Sequence, residues 1–525
     1  MIEHLFLAAS SAAVFKLPEG VMKFLCIGIV VYVIIMLLIG YLSSRKISGM
    51  EDYLVAGRRL PLWMSTATLL ATWFGAGSSM GVAAMTYSDG IGGVLADPFG
   101  ASLSLILAGI FVVGMLRKLK CLTVTDIISR QYGNVAGAYA SLWMLPVYIG
   151  WLGSQMLGIG TILHMLIGVD VLWGTVIGAA VVLIYTYAGG MWAVTLTDTF
   201  QVTLIVLGLI LILPGAISEA GGFEKFYSSL SSADLSLAIP PAAPGASRTL
   251  NDWSYYIGSW IVMGFGCMVG QDLIQRSLAS KDEKTAISSA VMSGFFYLMI
   301  AMIPIVIGFA ARIVLPKYGI TAASMGNGNL ENQVLPQIAM IVLGKLHPVL
   351  LVLFFSALIS AIMSSADSSL LAGSSLLCNN VLKPLLPNVS ERTFLHITRI
   401  STVVLTVVSL YFAISVQNIY VLMKNSWVTQ LVVVFLPVMT AIYVPRASRN
   451  AAWACMIVST VVWLGYCAVS CIGTTQSFTE LMENFDRPLT CGAVYGFSAG
   501  LLAFIFCYIG ERCSEKFRTQ EEETR

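Results

Sequence analysis

The sequence carries little charge. Asp, Glu, Lys and Arg make up 11% of its 525 residues, whereas soluble domains contain about 25%. Hydrophobic residues make up 57% of the chain. This composition excludes a soluble protein and indicates a chain whose solvent is the lipid bilayer. The net charge is only +2, so we expect no nucleic-acid partner.

Metal-binding and redox motifs are missing as well. The four histidines are too few and too dispersed for a zinc site, and the ten cysteines form no CxxC pair. The histidines and carboxylates do not converge on a catalytic cluster. We therefore expect neither enzyme activity nor an organic cofactor, and no obligate protein partner is evident. Glu3 and His4 replace the basic start of a signal peptide, so cleavage is not expected.

Long apolar runs dominate the rest of the chain. Runs of about 20 residues fit a bilayer core of about 30 Å, and they do not alternate as the strands of a closed barrel would. The sequence predicts an all-α polytopic membrane protein with about thirteen transmembrane helices. The predicted spans are 21–42, 62–88, 94–116, 136–167, 171–190, 196–217, 253–275, 285–314, 346–378, 395–415, 420–444, 451–472 and 490–510.

Basic residues are distributed unevenly between the two sides of these spans. With the N-terminus outside, 20 of the 29 Lys and Arg residues fall on the inner side, as the positive-inside rule requires. This predicts a multi-pass protein of the plasma membrane, or of the inner membrane if the source is bacterial, with a cytoplasmic C-terminus. The predicted regions are an external tail (1–20), a first span with its inner loop (21–61), a first repeat (62–217), an external loop (218–252), a second repeat (253–444), two further spans (445–510) and a cytoplasmic tail (511–525).

Glycine clusters interrupt two of the predicted spans. Residues 71–81 read ATWFGAGSSMG, and residues 263–271 read MGFGCMVGQ. Each glycine destabilises a helix interior by up to about 1 kcal/mol, and unwound backbone is tolerated in a membrane only beside protein or a water-filled cavity. The clusters lie five spans apart, which predicts a five-plus-five inverted repeat with binding at the midplane. Close packing of helices is the alternative role of these glycines.

The ninth predicted span is rich in serine. Residues 356–375 read SALISAIMSSADSSLLAGSS, a density of hydroxyls that a lipid-facing helix does not need. A carboxylate within such a span is costly and usually functional. Hydroxyls and carbonyls are oxygen ligands for a small hard cation, so the span predicts ion transport. The alternative is that the serines bond to carbonyls of their own helix.

Three motifs resemble the sodium:solute symporter family. Residues 188–201 (AGGMWAVTLTDTFQ) resemble its signature, residues 51–61 (EDYLVAGRRLP) a motif after the first span, and residues 362–369 (IMSSADSS) its sodium helix. The stretches 71–73, 102–107, 275–276 and 363–369 look most like the high-affinity choline transporter branch. The resemblance runs from about residue 22 to 445. It implies a five-plus-five inverted repeat and a secondary active symporter that imports a small polar organic solute with Na⁺ by alternating access.

The resemblance also implies cation ligands. The carbonyl oxygens of Gly77, Met80 and Ala361 and the hydroxyls of Ser364 and Ser365 are the expected sodium ligands. Ala361 precedes the two serines by three and four residues, so these three lie on one helical face.

A second cation site or an exit route is implied at Asp198 and Ser368. A helix N-cap is the alternative role of Asp198.

An aromatic solute site is implied in the same way. The choline branch holds a quaternary ammonium by cation–π attraction. Gly270 and Met423 stand where that branch has tryptophan, so choline is not expected to be the main solute. The expected solute-binding residues are Trp73, Ser79, Trp151, Gly270, Gln271 and Trp427.

Other functions remain open at this point. A proton-coupled or choline/betaine-type carrier of the same fold is the first alternative. A cation channel is the second, but no repeated filter or charge ring is visible. A membrane receptor is the third, and the short charged tail after Gly510 leaves no room for a soluble output domain.

Overall fold

A computed structural model describes residues 19–44, 55–239, 247–321, 331–386, 388–444, 447–471 and 485–523. Within these ranges the chain is almost wholly helical and contains no strand. An isolated parallel bridge pairs Leu60 with Ser280. Residues 1–18 of the predicted external tail (1–20) and most of the inner loop after the first span lie outside the described residues.

The first half of the described chain contains α1 to α9. These helices are Glu19–Ser44, Leu62–Trp73, Val82–Asp89, Ala101–Ala108, Gly114–Lys118, Asp126–Tyr132, Asn134–Ile167, Val171–Glu219 and Gly222–Ser228. Short 3₁₀ and π segments join several of them. They are Ala56–Arg58, Gly77–Gly81, Gly90–Val94, Leu95–Gly100 and Gly109–Val113.

The second half of the described chain contains α10 to α20. These helices are Leu250–Gly264, Gln271–Ala279, Glu283–Lys317, Val334–Gly344, Pro348–Leu376, Lys383–Leu385, Glu391–Val416, Ile419–Ser426, Leu436–Tyr443, Arg449–Cys471 and Asp486–Glu523. The short segments here are Gly266–Val269, Glu331–Gln333, Leu377–Leu382 and Gln430–Phe435. The predicted cytoplasmic tail is therefore mostly a continuation of α20.

The prediction of an all-α polytopic protein is confirmed, but the count of thirteen spans is not reproduced. Ten stretches among the described residues are long and apolar enough to cross a membrane. The predicted spans 2 and 3 share the continuous stretch Gly77–Lys118, and two others appear only as the shorter apolar segments Gly20–Met36 and Val171–Ile184. The predicted spans 171–190 and 196–217 both fall within α8, which runs unbroken from Val171 to Glu219.

Both predicted helix interruptions are present. Helix α2 ends at Trp73, and the backbone of Phe74 leaves helical geometry with φ −90° and ψ 78°. Helix α10 ends at Gly264, and Gly270 is extended (φ −61°, ψ 128°) before α11 begins. Gly75 is a glycine because its backbone lies very close to α14. A Cβ at this position would lie 2.4 Å from the hydroxyl oxygen of Ser365. The glycine cluster therefore brings the interrupted backbone against α14.

The serine-rich helix α14 lies inside the protein. Every residue from Phe354 to Leu376 is buried, and the helix contacts α1, α7, α8 and α16. Its hydroxyls therefore face protein and not lipid. This burial agrees with the expectation that they serve a polar site.

The C-terminal end of α3 is fixed by an arginine. Arg312 of α12 donates to the carbonyl oxygens of Tyr87 at 2.6 Å and Thr86 at 2.9 Å. Cations at a helix C-terminus are stabilising because the last carbonyls lack helical partners. Arg312 also pairs with Asp234 of the segment after α9, so it joins this segment to the interrupted helix.

Candidate solute and cation sites

Four aromatic side chains from three parts of the chain form what we call the aromatic cluster. Trp73 ends α2, Tyr148 and Trp151 lie on α7, and Trp427 follows α17. The ring centroids of Trp151 and Trp427 are 5.3 Å apart, and those of Trp73 and Trp427 are 5.9 Å apart. Tyr148 lies 6.4 Å from Trp151 and 6.5 Å from Trp427. Three of the predicted solute residues therefore meet, together with a tyrosine that the sequence did not single out.

The carboxylate of Asp272 lies within this cluster. Trp73 donates from Nε1 to Oδ2 of Asp272 at 2.7 Å, and the Tyr148 hydroxyl donates to Oδ1 at 3.1 Å. The Tyr148 oxygen in turn accepts the backbone N–H of Gln271 at 2.7 Å. Asp272 is fully buried, near the N-terminus of α11, where the helix dipole favours an anion. Among the described residues, no ion pair involves Asp272.

Gly270 adjoins the aromatic cluster but leaves little open space. A Cβ at this position would lie 2.9 Å from Oδ1 of Asp272, 3.0 Å from the carbonyl oxygen of Cys267 and 3.5 Å from the ring of Trp427. Asp272 and Trp427 therefore occupy the space that the sequence comparison assigned to a missing tryptophan. Met423, the other substituted position, packs with its sulfur against Gly77.

Two other predicted solute residues lie away from the aromatic rings. The side chain of Gln271 accepts from the backbone N–H of Val124 at 2.8 Å and donates to Ser375 at 3.1 Å. Ser79 donates to the carbonyl of Gly75 at 2.6 Å and lines a small cavity that Ala361 also borders. Both residues thus adjoin the interrupted helices without contributing to the cluster.

The predicted sodium ligands on α14 face α2 and α8. The hydroxyl of Ser365 donates to the Thr72 carbonyl at 2.6 Å, and the hydroxyl of Ser364 donates to Oδ1 of Asp198 at 2.6 Å. Thr68 donates to the other carboxylate oxygen of Asp198. All five side chains are completely buried. We call this group the cation cluster, and it joins three helices through one carboxylate.

Gly77 and Met80 lie farther along the interrupted helix, in the π segment Gly77–Gly81. The carbonyl oxygen of Gly77 accepts the backbone N–H of Val82. The α2 carbonyl that meets Ser365 is instead that of Thr72, at the end of the regular helix. Sequence spacing could not identify it, because the contact depends on where α2 stops.

Asp198 lies in the interior of α8 and not at a helix start. The N-cap alternative for this residue is therefore wrong. Its contacts with Thr68 and Ser364 place it among the hydroxyls that were expected to bind a cation.

Ser368 lies between the two clusters. It donates to the carbonyl of Ser364 at 2.5 Å, and it accepts a hydrogen bond from the guanidinium of Arg276. Arg276 also donates to the backbone carbonyl of Asp272 at 3.3 Å. The predicted span 253–275 stops one residue short of Arg276, but this arginine is completely buried within α11.

Buried charge in this region is mostly negative. Asp198, Asp272 and Asp367 are completely buried, and Arg276 is the basic side chain among them. Asp367 accepts from Ser368 at 3.2 Å through one oxygen, while its Oδ2 has no partner. Buried charges need partners because desolvation is costly. The region is therefore suited to binding cations.

Comparison with known proteins agrees with this geometry. Residues 53–459 match the model of the sodium:solute symporter family. The chain is 25% identical over 469 residues to high-affinity choline transporter 1 of Caenorhabditis elegans, a match that covers 83% of this chain and 77% of that protein. It is 27% identical over 485 residues to the sodium/pantothenate symporter of Haemophilus influenzae, which covers 91% of this chain and 94% of that protein.

The fold is also similar to a solved structure. A Na⁺-coupled sialic acid symporter in a substrate-bound outward-open state matches with a TM-score of 0.70 and 20% identity, over 91% of this chain and 98% of that chain. The residues matched by the family model include both interrupted helices and α14. The resemblance stated from three sequence motifs is confirmed, and the chain belongs to the sodium:solute symporter family.

Proposed function

We propose that this sodium-coupled symporter binds its organic solute at the aromatic cluster and sodium at the cation cluster. The observation that carries the proposal is the position of both clusters at the helix interruptions. Trp73 ends α2, Asp272 is the second residue of α11, and the two side chains are hydrogen-bonded at 2.7 Å. Interrupted helices place free backbone groups and polar side chains at the membrane midplane, where carriers of this architecture bind solutes and ions.

The oxygens of the cation cluster support sodium as the coupling ion. Ser364, Ser365 and the Thr72 carbonyl supply neutral oxygens, and Asp198 supplies one carboxylate. Neutral oxygens suit a monovalent cation that must be released again, whereas several carboxylates would favour calcium. We propose Thr72 as a ligand in addition to Gly77, Met80 and Ala361.

A second cation site or an exit route is proposed at Asp198 and Ser368. Asp198 lies beside Thr68 toward the start of α2, and Ser368 is one turn beyond Ser364 on α14. A cation leaving Ser364 would thus meet further oxygen atoms, and the partnerless Oδ2 of Asp367 adds another.

The orientation is proposed from the charge distribution. With the N-terminus outside, the basic residues concentrate on the inner side, which favours a cytoplasmic C-terminus in the plasma membrane. Transport rather than catalysis is proposed as the sole activity, since the relatives are transporters. The solute is proposed to be small and organic, and no protein partner is required.

Sodium binding to the purified protein tests the proposal without knowledge of the solute. Ligands that bind only the folded state raise its stability. We expect a higher thermal unfolding temperature in sodium chloride than in potassium chloride at equal ionic strength. Equal unfolding temperatures in the two salts would contradict sodium binding. Counterflow of a labelled solute in proteoliposomes, once a solute is found, separates a carrier from a channel.

A further inference from the structure

We infer that the solute of this symporter is a protonated amine that carries N–H donors, and that Asp272 binds its charge. The inference rests on the proposed solute site at the aromatic cluster. It adds a substrate class and a specificity-determining residue to that site.

Asp272 forms no ion pair with a described side chain, and it shares the charge of the nearby Arg276 with Asp198 and Asp367. Its two carboxylate oxygens accept from Trp73 and Tyr148, which are both neutral donors. Arg276, one turn along α11, directs its guanidinium to the Asp272 backbone carbonyl and to Ser368. An ionisable residue within a membrane protein is expensive and marks a path or site for a cation or a proton. A cationic solute would form the ion pair that Asp272 lacks among the described residues.

The surrounding rings favour the same ligand. The ring centroids of Trp73 and Trp151 each lie within 6 Å of the ring centroid of Trp427. Each of the three side chains is at most 5% exposed. Among aromatic side chains, tryptophan attracts cations most strongly through its ring face, and more so when water is excluded. An anionic solute would be repelled by Asp272, and a neutral solute would leave its charge unpaired.

Unsatisfied polar atoms beside the cluster specify N–H groups. Gln430 approaches the Tyr148 hydroxyl through Nε2 at 3.4 Å, and its Oε1 is buried without a partner. Asp272 and Gln430, which both contact the Tyr148 hydroxyl, thus offer acceptor oxygens. A primary or secondary ammonium can donate to such oxygens, whereas a quaternary ammonium has no N–H to donate. Charge-assisted bonds of this kind are stronger than neutral ones.

A second feature of the solute follows from Trp427. Its indole Nε1 is also buried without a hydrogen-bond partner. This atom is a donor only, so it needs an acceptor. We infer that the amine carries an oxygen atom, as an amino alcohol does.

A ligand panel on the full-length purified protein tests the inference. Small primary and secondary amines are compared with their neutral hydroxyl counterparts and their N-trimethyl counterparts, beginning with ethanolamine, ethylene glycol and choline. Thermal unfolding is followed in sodium and in potassium. We expect sodium-dependent stabilisation by amines, at concentrations about tenfold lower than for either counterpart, because the charge and the N–H bonds act together.

The variant Asp272→Asn removes the charge and keeps the size of the side chain. We expect it to lose the preference for amines over the neutral counterparts. Asp170→Asn is the matched control, because Asp170 caps α8 by accepting from Leu172 and asparagine caps a helix equally well. The control should retain the preference.

Three outcomes would overturn the inference. They are a strongest sodium-dependent ligand that is neutral or anionic, a panel in which no amine stabilises the wild type, and an unchanged amine preference in Asp272→Asn. The ligand preferences of the wild-type protein test the inference even if Asp272→Asn does not fold. Stabilisation by sodium alone is scored separately, so the inference can fail while the proposed sodium site stands. Absence of any sodium effect would instead contradict the proposed function itself.

Discussion

The indole nitrogen of Trp73 and the carboxylate of Asp272 are 2.7 Å apart, although the residues are separated by 199 positions in the chain. Trp73 is the last residue of α2 and Asp272 is the second residue of α11. The bond therefore joins the two helix interruptions directly. Any movement that separates these interruptions must break it, and a solute that replaces it would act on both helices at once.

The first prediction concerns Ser364 and Ser365, the two serines proposed to bind sodium. The double variant Ser364→Ala with Ser365→Ala should raise the sodium concentration for half-maximal stabilisation by at least about tenfold, because each lost ligand weakens binding by about 1 kcal/mol or more. Sodium titrations followed by thermal unfolding measure it. Ser369→Ala is the control, since Ser369 is buried on the same helix but bonds its own helix at the Ala366 carbonyl. An unchanged titration in the folded double variant would refute the assignment.

The second prediction concerns the close approach at Gly75. Gly75→Ala would place a Cβ 2.4 Å from the Ser365 hydroxyl oxygen and 2.5 Å from Oε1 of Gln155. Such overpacking costs about 1 to 3 kcal/mol, so we expect a lower unfolding temperature and weaker sodium binding. Gly465→Ala should lower neither quantity, because nothing lies within 4 Å of its added Cβ. Equal behaviour of the two variants would show that α2 can move away from α14 without penalty.

The third prediction concerns orientation. A membrane-impermeant thiol reagent applied from outside should label Ser228→Cys and should not label Lys281→Cys. Both positions are exposed, and the positive-inside rule places the first outside and the second in the cytoplasm. Labelling in intact cells, with permeabilised cells as the control, measures it. The reverse pattern would invert the proposed topology.

The fourth prediction concerns pH and the segment after α9. A hydrogen bond from Ser231 and then the pairing with Arg312 lower the pKa of Asp234 to about 2. A lowered pKa means that the carboxylate stabilises the folded state above the pKa of about 4 in the unfolded chain. This stabilisation is lost as the pH falls from about 4 to about 2.

Asp234→Asn tests this pairing. We expect it to lower stability at pH 7 by about 1 kcal/mol or less, as for other partly exposed pairs. The difference from the wild type should vanish as the pH approaches 2. Thermal unfolding across that range measures it, and a difference that does not depend on pH would rule out the pairing as its source.

Much of the fold follows from one-dimensional features of the sequence. Apolar length locates the membrane helices because the bilayer core has a fixed thickness. Glycine clusters locate the interruptions because glycine is a poor helix former. The serine content of α14 predicts its burial because lipid offers hydroxyls no partners. These features need no knowledge of how the helices are arranged.

The centre of the proposed solute site was harder to predict because it depends on tertiary contacts. Tyr148 and Asp272 meet across 124 positions, and neither belongs to a local motif. The cost of a carboxylate in an apolar span, which singled out the serine-rich span that contains Asp367, would also have singled out Asp272. The direction of the Gln271 side chain depends on the backbone turn at Gly270, which sequence does not reveal.

The buried guanidinium of Arg276 has a consequence for how strictly transport is coupled. It lies between Asp272 on one side and Ser368 of the cation region on the other. If a solute cation binds Asp272 as proposed, its departure would let the field of Arg276 act more strongly on that carboxylate, and the affinity for sodium at the cation cluster would change in turn. Such reciprocity is required of any two linked binding equilibria. In the proposed scheme, this guanidinium would therefore make the affinity for solute and the affinity for sodium depend on each other, as coupled transport requires.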